Sequence, residues 1–207
     1  MPPRDWNESY LTNDTPWDQD APDVHLVEFL RGWPARGRAL DIGCGTGASS
    51  VHMARLGFEV VGVDLAPRAV ELAEARLAEE PLGCRFEALD LMQSPLPGGE
   101  YDLVFDRACF HLFHEPEQRA LFARRVAEVL RPGGLWLSLS GSTEGPPSDS
   151  GPPRRTAREL VEAIEPALEL VELRTARFDP SEEDLQVAAW WCLSRRRSIE
   201  PQPPSAP

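Results

Sequence analysis

The chain has 207 residues, 42% of them hydrophobic, enough to bury one good core but short for two domains of ordinary size. Its 34 acidic and 21 basic side chains give a net charge of −13, which weakens electrostatic capture of a polyphosphate backbone or an anionic membrane and argues against both as partners. Cys44, Cys84, Cys109 and Cys192 have no paired spacing, no targeting segment opens the chain, and no run approaches the ~18 apolar residues of a membrane span, so reduced thiols in the cytoplasm are expected.

Taken in chain order, a polar opening carries Trp6, Tyr10 and Trp17, followed by Leu26, Phe29 and Leu30. From Arg38 onward, short β-rich runs alternate with longer Ala/Leu/Glu/Arg-rich runs of helical period, the pattern of an α/β doubly wound parallel sheet. Strands are predicted near 38–42, 59–64, 84–89, 102–106 and 135–139. A helix opens at Pro67 and sets Val70, Ala73 and Leu77 against Arg68, Glu71 and Glu74; another opens at Pro116 with Leu121, Phe122, Val126 and Val129 at helical spacing. Arg131-Pro132-Gly133-Gly134 is expected to stop that helix and turn the chain into the next strand. Residues 141–153 have the composition of a loop, a short helix is expected over 156–164, and two late strands over 167–178 and 185–193 form an antiparallel pair. The organisation expected is an opening segment over 1–34, one domain over 35–196 and a disordered tail over 197–207.

Leu40-Asp41-Ile42-Gly43-Cys44-Gly45-Thr46-Gly47 puts three glycines between a strand and a helix, where bare backbone and unpaired helix N–H groups can meet a nucleotide-type ligand. Gly43, Gly45 and Ala48 also satisfy the dinucleotide spacing, so spacing alone leaves two ligand classes open. Asp41 discriminates between them. Its carboxylate opposes a pyrophosphate, whereas the ammonium of the methionine part of S-adenosylmethionine is a good partner for it. Asp64, 23 positions on, ends the second strand where an acidic side chain accepts ribose hydroxyls, and Asp90 ends the third where a carboxylate suits an adenine amine. A lone Asp such as Asp90 is equally well read as a turn residue.

LDIGCGTG, VVGVDLAPRAVELA, FEALD, YDLVFDR and LRPGGLWLSL, in that order over residues 38–140, resemble the successive motifs of class I S-adenosylmethionine-dependent methyltransferases. The resemblance implies a seven-stranded Rossmann-like sheet, mostly parallel with its last strand antiparallel. It assigns Asp41, Gly43, Gly45 and Gly47 to the methionine end of the cofactor, Asp64 to the ribose, and Asp90 and Leu91 to the adenine, with Leu65 also in the cofactor-binding set. Asp106, at the end of the fourth strand, joins the cofactor set. The opening from Trp6 to Gln19 resembles the thiopurine, thiol and halide methyltransferase branch, whose members fold such a segment over the cofactor; this implies cofactor contacts from Trp6 and Trp17 by cation–π attraction to the sulfonium.

Asp106-Arg107-Ala108 is similar to the Asp-Arg-Gly segment of that branch, with Ala108 where glycine is usual. Arg107 is a candidate to hold the acceptor, and His111 or His114 to take its proton. His111, His114 and Glu115 have no third soft ligand nearby, so no metal is expected. The expected reaction is in-line methyl transfer to a small-molecule acceptor such as a thiol, heterocycle, selenium or tellurium oxyanion, or halide. The alternatives are a cofactor- or protein-binding module without catalysis and an NAD-dependent oxidoreductase.

Overall fold

The computed structural model describes residues 4–33, 37–78, 80–146, 151–178 and 187–198. Two short helices, α1 (Trp6–Leu11) and α2 (Val24–Leu30), come first, each opened by an aspartate whose carboxylate accepts first-turn N–H groups, Asp5 for α1 and Asp23 for α2. There follow β1 (Gly37–Ile42), α3 (Ala48–Arg55), β2 (Phe58–Asp64), α4 (Pro67–Ala78), β3 (Cys84–Ala88) and β4 (Tyr101–Arg107). After a 3-10 turn over Phe110–Leu112 come α5 (Pro116–Val129), β5 (Leu130–Gly141), α6 (Ala157–Ile164), β6 (Glu169–Arg177) and β7 (Ala188–Arg195).

Among the described residues one seven-stranded sheet runs β3-β2-β1-β4-β5-β7-β6. The first five strands are mutually parallel, and β7 lies antiparallel between β5 and β6. The doubly wound sheet with its final strand antiparallel is therefore as the sequence implied. The order reverses between β1 and β4, where Ile42 lies beside Asp106; in open α/β sheets ligands bind beyond the C-terminal strand ends at such a point.

The strands read as nearly continuous apolar runs because both faces are covered. On one face Leu40, Ile42, Val104 and Trp136 meet Phe122, Val126, Leu160 and Ile164 of α5 and α6. On the other, Ala39, Leu103, Phe105 and Leu137 meet Leu26, Leu30 and Met53 of α2 and α3. Phe110, Phe122 and Trp136 lock the turn after β4 onto the first face, with centroids 5.3–5.5 Å apart.

One boundary differs from the sequence expectation. β5 already pairs with β4 at Leu130, opposite Tyr101, and the Pro-Gly-Gly run is an irregularity inside the strand rather than a turn before it. Gly133 takes φ 78° there, and a Cβ on Gly134 would come within 2.7 Å of the Tyr101 carbonyl oxygen. The expected helix over 156–164 is present, with Thr156 and Glu159 forming a reciprocal capping box. The expected tail from 199 onward, the start of the second late strand at 185–186 and residues 147–150 of the 141–153 loop lie outside the described residues. Among the described residues no helix is long and apolar enough to cross a membrane.

Candidate active site at the C-terminal edge of the sheet

The chain leaves β1 through a tight turn in which the N–H groups of Gly43 and Cys44 both donate to the Val63 carbonyl, at 2.8 and 3.0 Å. Gly43, Gly45 and Gly47 all have left-handed φ, 71°, 53° and 82°. None of the three has room for a side chain: a Cβ on Gly43 would lie 3.0 Å from Cys109, one on Gly45 3.0 Å from the Tyr10 hydroxyl, and one on Gly47 2.8 Å from the Phe86 ring. Gly47 opens α3 without any side-chain cap, leaving that helix start available to a ligand.

Carboxylates gather around this turn. Asp41 is 2% exposed and accepts the Ser50 hydroxyl at 2.6 Å; loss of solvent, with Asp64 and Asp106 adding repulsion, pushes its pKa up to about 7. Asp64 accepts the N–H groups of Gly45 and Ala66, both at 2.9 Å, and burial raises it too. Asp106 is fully buried and pushed to about 6; its oxygens accept Phe110 N–H at 2.9 Å, Cys109 N–H at 3.3 Å and the Trp136 indole at 2.9 Å. Its side chain is thus spent on holding the turn after β4, and only its backbone remains for a ligand. Asp90 takes the turn-residue role, accepting Met92 N–H at 2.8 Å and the Gln93 amide at 2.6 Å; Leu91 is buried beside it, while Leu65 is 52% exposed next to Asp64.

Residues 4–23 lie along the same edge. Trp6 and Trp17 meet edge to face at 5.1 Å and pack with Tyr10 against Ala66 and Ala69 at the start of α4. The cation that Trp17 meets here is Arg4, 4.2 Å over its ring, and its indole N–H donates to the Tyr10 hydroxyl at 3.2 Å. Over Gly45 itself stand Tyr10 and Asp18, the latter accepting the Thr46 hydroxyl at 3.0 Å. Arg76 of α4 reaches the Thr46 carbonyl at 2.9 Å and Asp20 at 3.1 Å. Sequence reasoning missed Tyr10, Asp18 and Asp23; the dense acids of WDQDAPD, in a segment with no apolar period, were the available signal.

On the acceptor side, Arg107 and His111 both have partners within the protein. Arg107 pairs with the buried Asp23 at 2.9 Å and donates to the Trp17 carbonyl at 3.0 Å, which ties the opening segment to β4. His111 is 1% exposed and its Nδ1 accepts Gly141 N–H at 2.7 Å, so its proton sits on Nε2. Desolvation, with Arg155 and Arg107 nearby, pushes it down to about 3, and it is a neutral ring rather than a base near neutrality. The ring of Phe178, also unforeseen, stands 5.8 Å from His111 and under the Arg107 guanidinium at 5.3 Å. No group of three metal-binding side chains converges among the described residues.

Ala108 holds φ 61°, a left-handed conformation that costs an L residue roughly 1–2 kcal/mol. Ala108→Gly is expected to stabilise the fold by about 0.5–1 kcal/mol after the added chain entropy of glycine, raising Tm by roughly 1–4 °C in a thermal melt. An unchanged or lower Tm would show that the methyl packing of Ala108 outweighs the strain.

A family model described as a methyltransferase domain matches residues 39–134. The probable thiol methyltransferase 2 of Arabidopsis thaliana is 37% identical over 150 residues, 69% of this chain and 65% of that protein. Thiocyanate methyltransferase 1 of Brassica oleracea is 32% identical over 163 residues, 77% of this chain and 70% of that protein. The chain thus spans between 65% and 70% of the length of these two relatives. A solved structure titled for the conversion of a disulfide bond into a thioacetal group during echinomycin biosynthesis superimposes with a TM-score of 0.76 at 28% identity, covering 88% of this chain and 84% of that one. With the glycine turn, the buried Asp41 and the reversal of strand order all at one edge of the sheet, the chain belongs to the class I S-adenosylmethionine-dependent methyltransferases.

Proposed function

We propose that the chain transfers the methyl group of S-adenosylmethionine to the soft, electron-rich atom of a small anionic acceptor, a thiolate foremost. The observation that carries this is the gathering of carboxylates at the glycine turn: Asp18, Asp41 and Asp64 surround it, which suits a cationic cofactor. The printed names of the relatives, thiol and thiocyanate methyltransferases, are those of enzymes with sulfur acceptors, and they support the same class.

In this reading Asp41 and the turn at Gly43, Gly45 and Gly47 hold the methionine end, Asp64 and Leu65 the ribose, and Asp90 and Leu91 the adenine, with Asp106 contributing backbone. Three features fit the group: three left-handed glycines, the uncapped start of α3 and a buried carboxylate poised near neutrality. When bound, the cofactor supplies an activated methyl on sulfur. The protein's part is to align the acceptor behind that methyl and to exclude water, so no side chain need act as base for a thiol of pKa near 8.5. Residues 4–33, with Tyr10, Trp6 and Trp17, close over the cofactor as a strap. The four cysteines are free, which agrees with a reducing cytoplasm, and no nucleic acid partner is proposed for a chain of net charge −13.

Isothermal titration with S-adenosylmethionine, followed by transfer of labelled methyl to a panel of thiols, heterocycles, selenite and halide, tests the reading. Binding with product on the thiols is expected. Binding without product on any acceptor would favour a cofactor-holding module; no heat at millimolar cofactor, or a nicotinamide difference spectrum with NAD, would overturn it.

A further inference from the structure

The turn after β4 is held from outside by two buried arginines, neither of which belongs to the cofactor side. Arg155, 7% exposed, donates through Nη2 to the His111 carbonyl at 2.8 Å and bonds the Nδ1 of His114 at 3.1 Å. Its own peptide is fixed as firmly: its N–H donates to the Gly141 carbonyl at 2.8 Å, and its carbonyl accepts the Trp190 indole at 2.8 Å and Thr143 N–H at 3.1 Å. Gly141 N–H in turn donates to His111 Nδ1 at 2.7 Å. His111, Gly141 and Arg155 therefore form a closed ring of hydrogen bonds joining the turn, the end of β5 and the entry to α6. Arg119, 4% exposed, holds two carbonyls farther along the turn, Phe113 at 3.0 Å and His114 at 2.6 Å. Both guanidiniums lean on Glu159, at 3.5 and 3.8 Å, and Thr156 pins Glu159 through the capping box.

Stability alone is a weak reason for this arrangement. Buried arginines carry a large desolvation cost, the Nε atoms of both have no partner among the described residues, and an apolar pair of similar volume often folds as well or better. A rigid planar fork adds fixed geometry instead. The turn it fixes starts at Cys109, against Gly43 of the cofactor turn, and ends at His114. We propose that Arg155 is a positioning residue for methyl transfer: it holds the turn from His111 to His114 as a rigid acceptor wall and keeps His111 in its Nε2-protonated form, without touching either reactant.

The inference rests on the methyltransferase reading above for its kinetic arm. Arg155→Met is expected to lower kcat/KM for the acceptor by roughly 10- to 100-fold, the cost of an ångström-scale misplacement, while the Kd for S-adenosylmethionine stays within about twofold. Arg155→Lys, which can reach one of the two His partners but not both in a planar fork, is expected to lose about 3- to 10-fold. Should the Met variant not fold, Arg155→Lys and Glu159→Gln carry the comparison. The second readout is the NMR titration of the His111 ring, which faces Arg107 from β4, His114 from its own turn and Arg155 from the entry to α6. It is expected to be silent from pH 5 to 8 in the parent chain and to titrate at a higher pH in Arg155→Met, where one of the positive charges facing the ring is gone while its burial remains. Equal losses of cofactor affinity and acceptor turnover, or a His111 signal unmoved by the substitution, would overturn the proposal. A parent chain that transfers methyl to nothing would instead refute the methyltransferase reading, and the His111 titration would still decide the role of Arg155.

Discussion

Asparagine in place of Asp41 is expected to weaken S-adenosylmethionine binding by roughly 30- to 1000-fold, because removing one partner of a buried charged hydrogen bond costs about 2–4 kcal/mol. The substitution keeps the shape and the Ser50 partner, at 2.6 Å, and removes only the charge that the proposed function assigns to the cofactor ammonium. Asp41→Ala, which also strips Ser50 of its acceptor, is expected to leave no measurable heat in a titration. The same carboxyl predicts a pH dependence. Folding raises its pKa from the unfolded value near 4 to about 7, so the ligand-free fold binds the extra proton between those values and its stability falls as pH rises from about 4 to 7. Cofactor binding runs the other way, since it needs the ionised form: affinity at pH 6 is expected to be about tenfold below that at pH 8, with a proton released on binding near pH 6.5. Calorimetry in two buffers of different ionisation enthalpy measures that proton. A Kd for Asp41→Asn within twofold of the parent, or a flat pH profile, would show that Asp41 is a structural partner of Ser50 only.

The parts of this site that were legible in the sequence are those set by neighbours in the chain. The glycine turn at Gly43 to Gly47 needs left-handed backbone at fixed spacing, and Asp41 and Asp64 fall at strand ends whose apolar runs announce themselves. The parts that were not legible depend on partners far along the chain. Arg107 reads as a free cation until Asp23, 84 positions earlier, is seen beside it, and His111 reads as a base until the N–H of Gly141, 30 positions later, is found on its Nδ1. Asp106 stands where a cofactor ligand belongs, but residues 109, 110 and 136 claim its oxygens. The irregular start of β5 was hidden for another reason. Pro-Gly-Gly carries the signal of a turn, and only the carbonyl of Tyr101 against Gly134 makes it part of a strand.

Asp23→Ala is expected to lower stability by about 2–4 kcal/mol, combining the loss of a helix cap with a nearly buried arginine left unpaired. For a chain of this size that is a Tm lower by roughly 5–15 °C. Asp23 is 2% exposed and does two jobs: one oxygen accepts the N–H groups of His25 and Leu26 at the start of α2, and the other meets Arg107 at 2.9 Å. Of the ties that hold residues 12–23 to the domain, the Arg76 pair involves a fully exposed Asp20 and contributes little. Thr46 and Asp18 supply one partly buried hydrogen bond. The Arg107 pair is the one with both partners largely shielded, at 18% and 1% side-chain exposure, so it should decide whether the segment stays down. Loss of Asp23 is therefore expected to expose residues 12–22 to limited proteolysis before the domain unfolds and to speed release of the cofactor. Asp23→Asn keeps the cap and separates the two jobs: it should retain α2 yet still free the segment. Pairing Asp23→Asn with Arg107→Met should recover part of the lost stability, since no charge is then left without its partner. If the proteolysis pattern of Asp23→Asn matched that of the parent, the segment would be held by Trp6, Tyr10 and Trp17 on Ala66 and Ala69, and the aromatic cluster would be the latch.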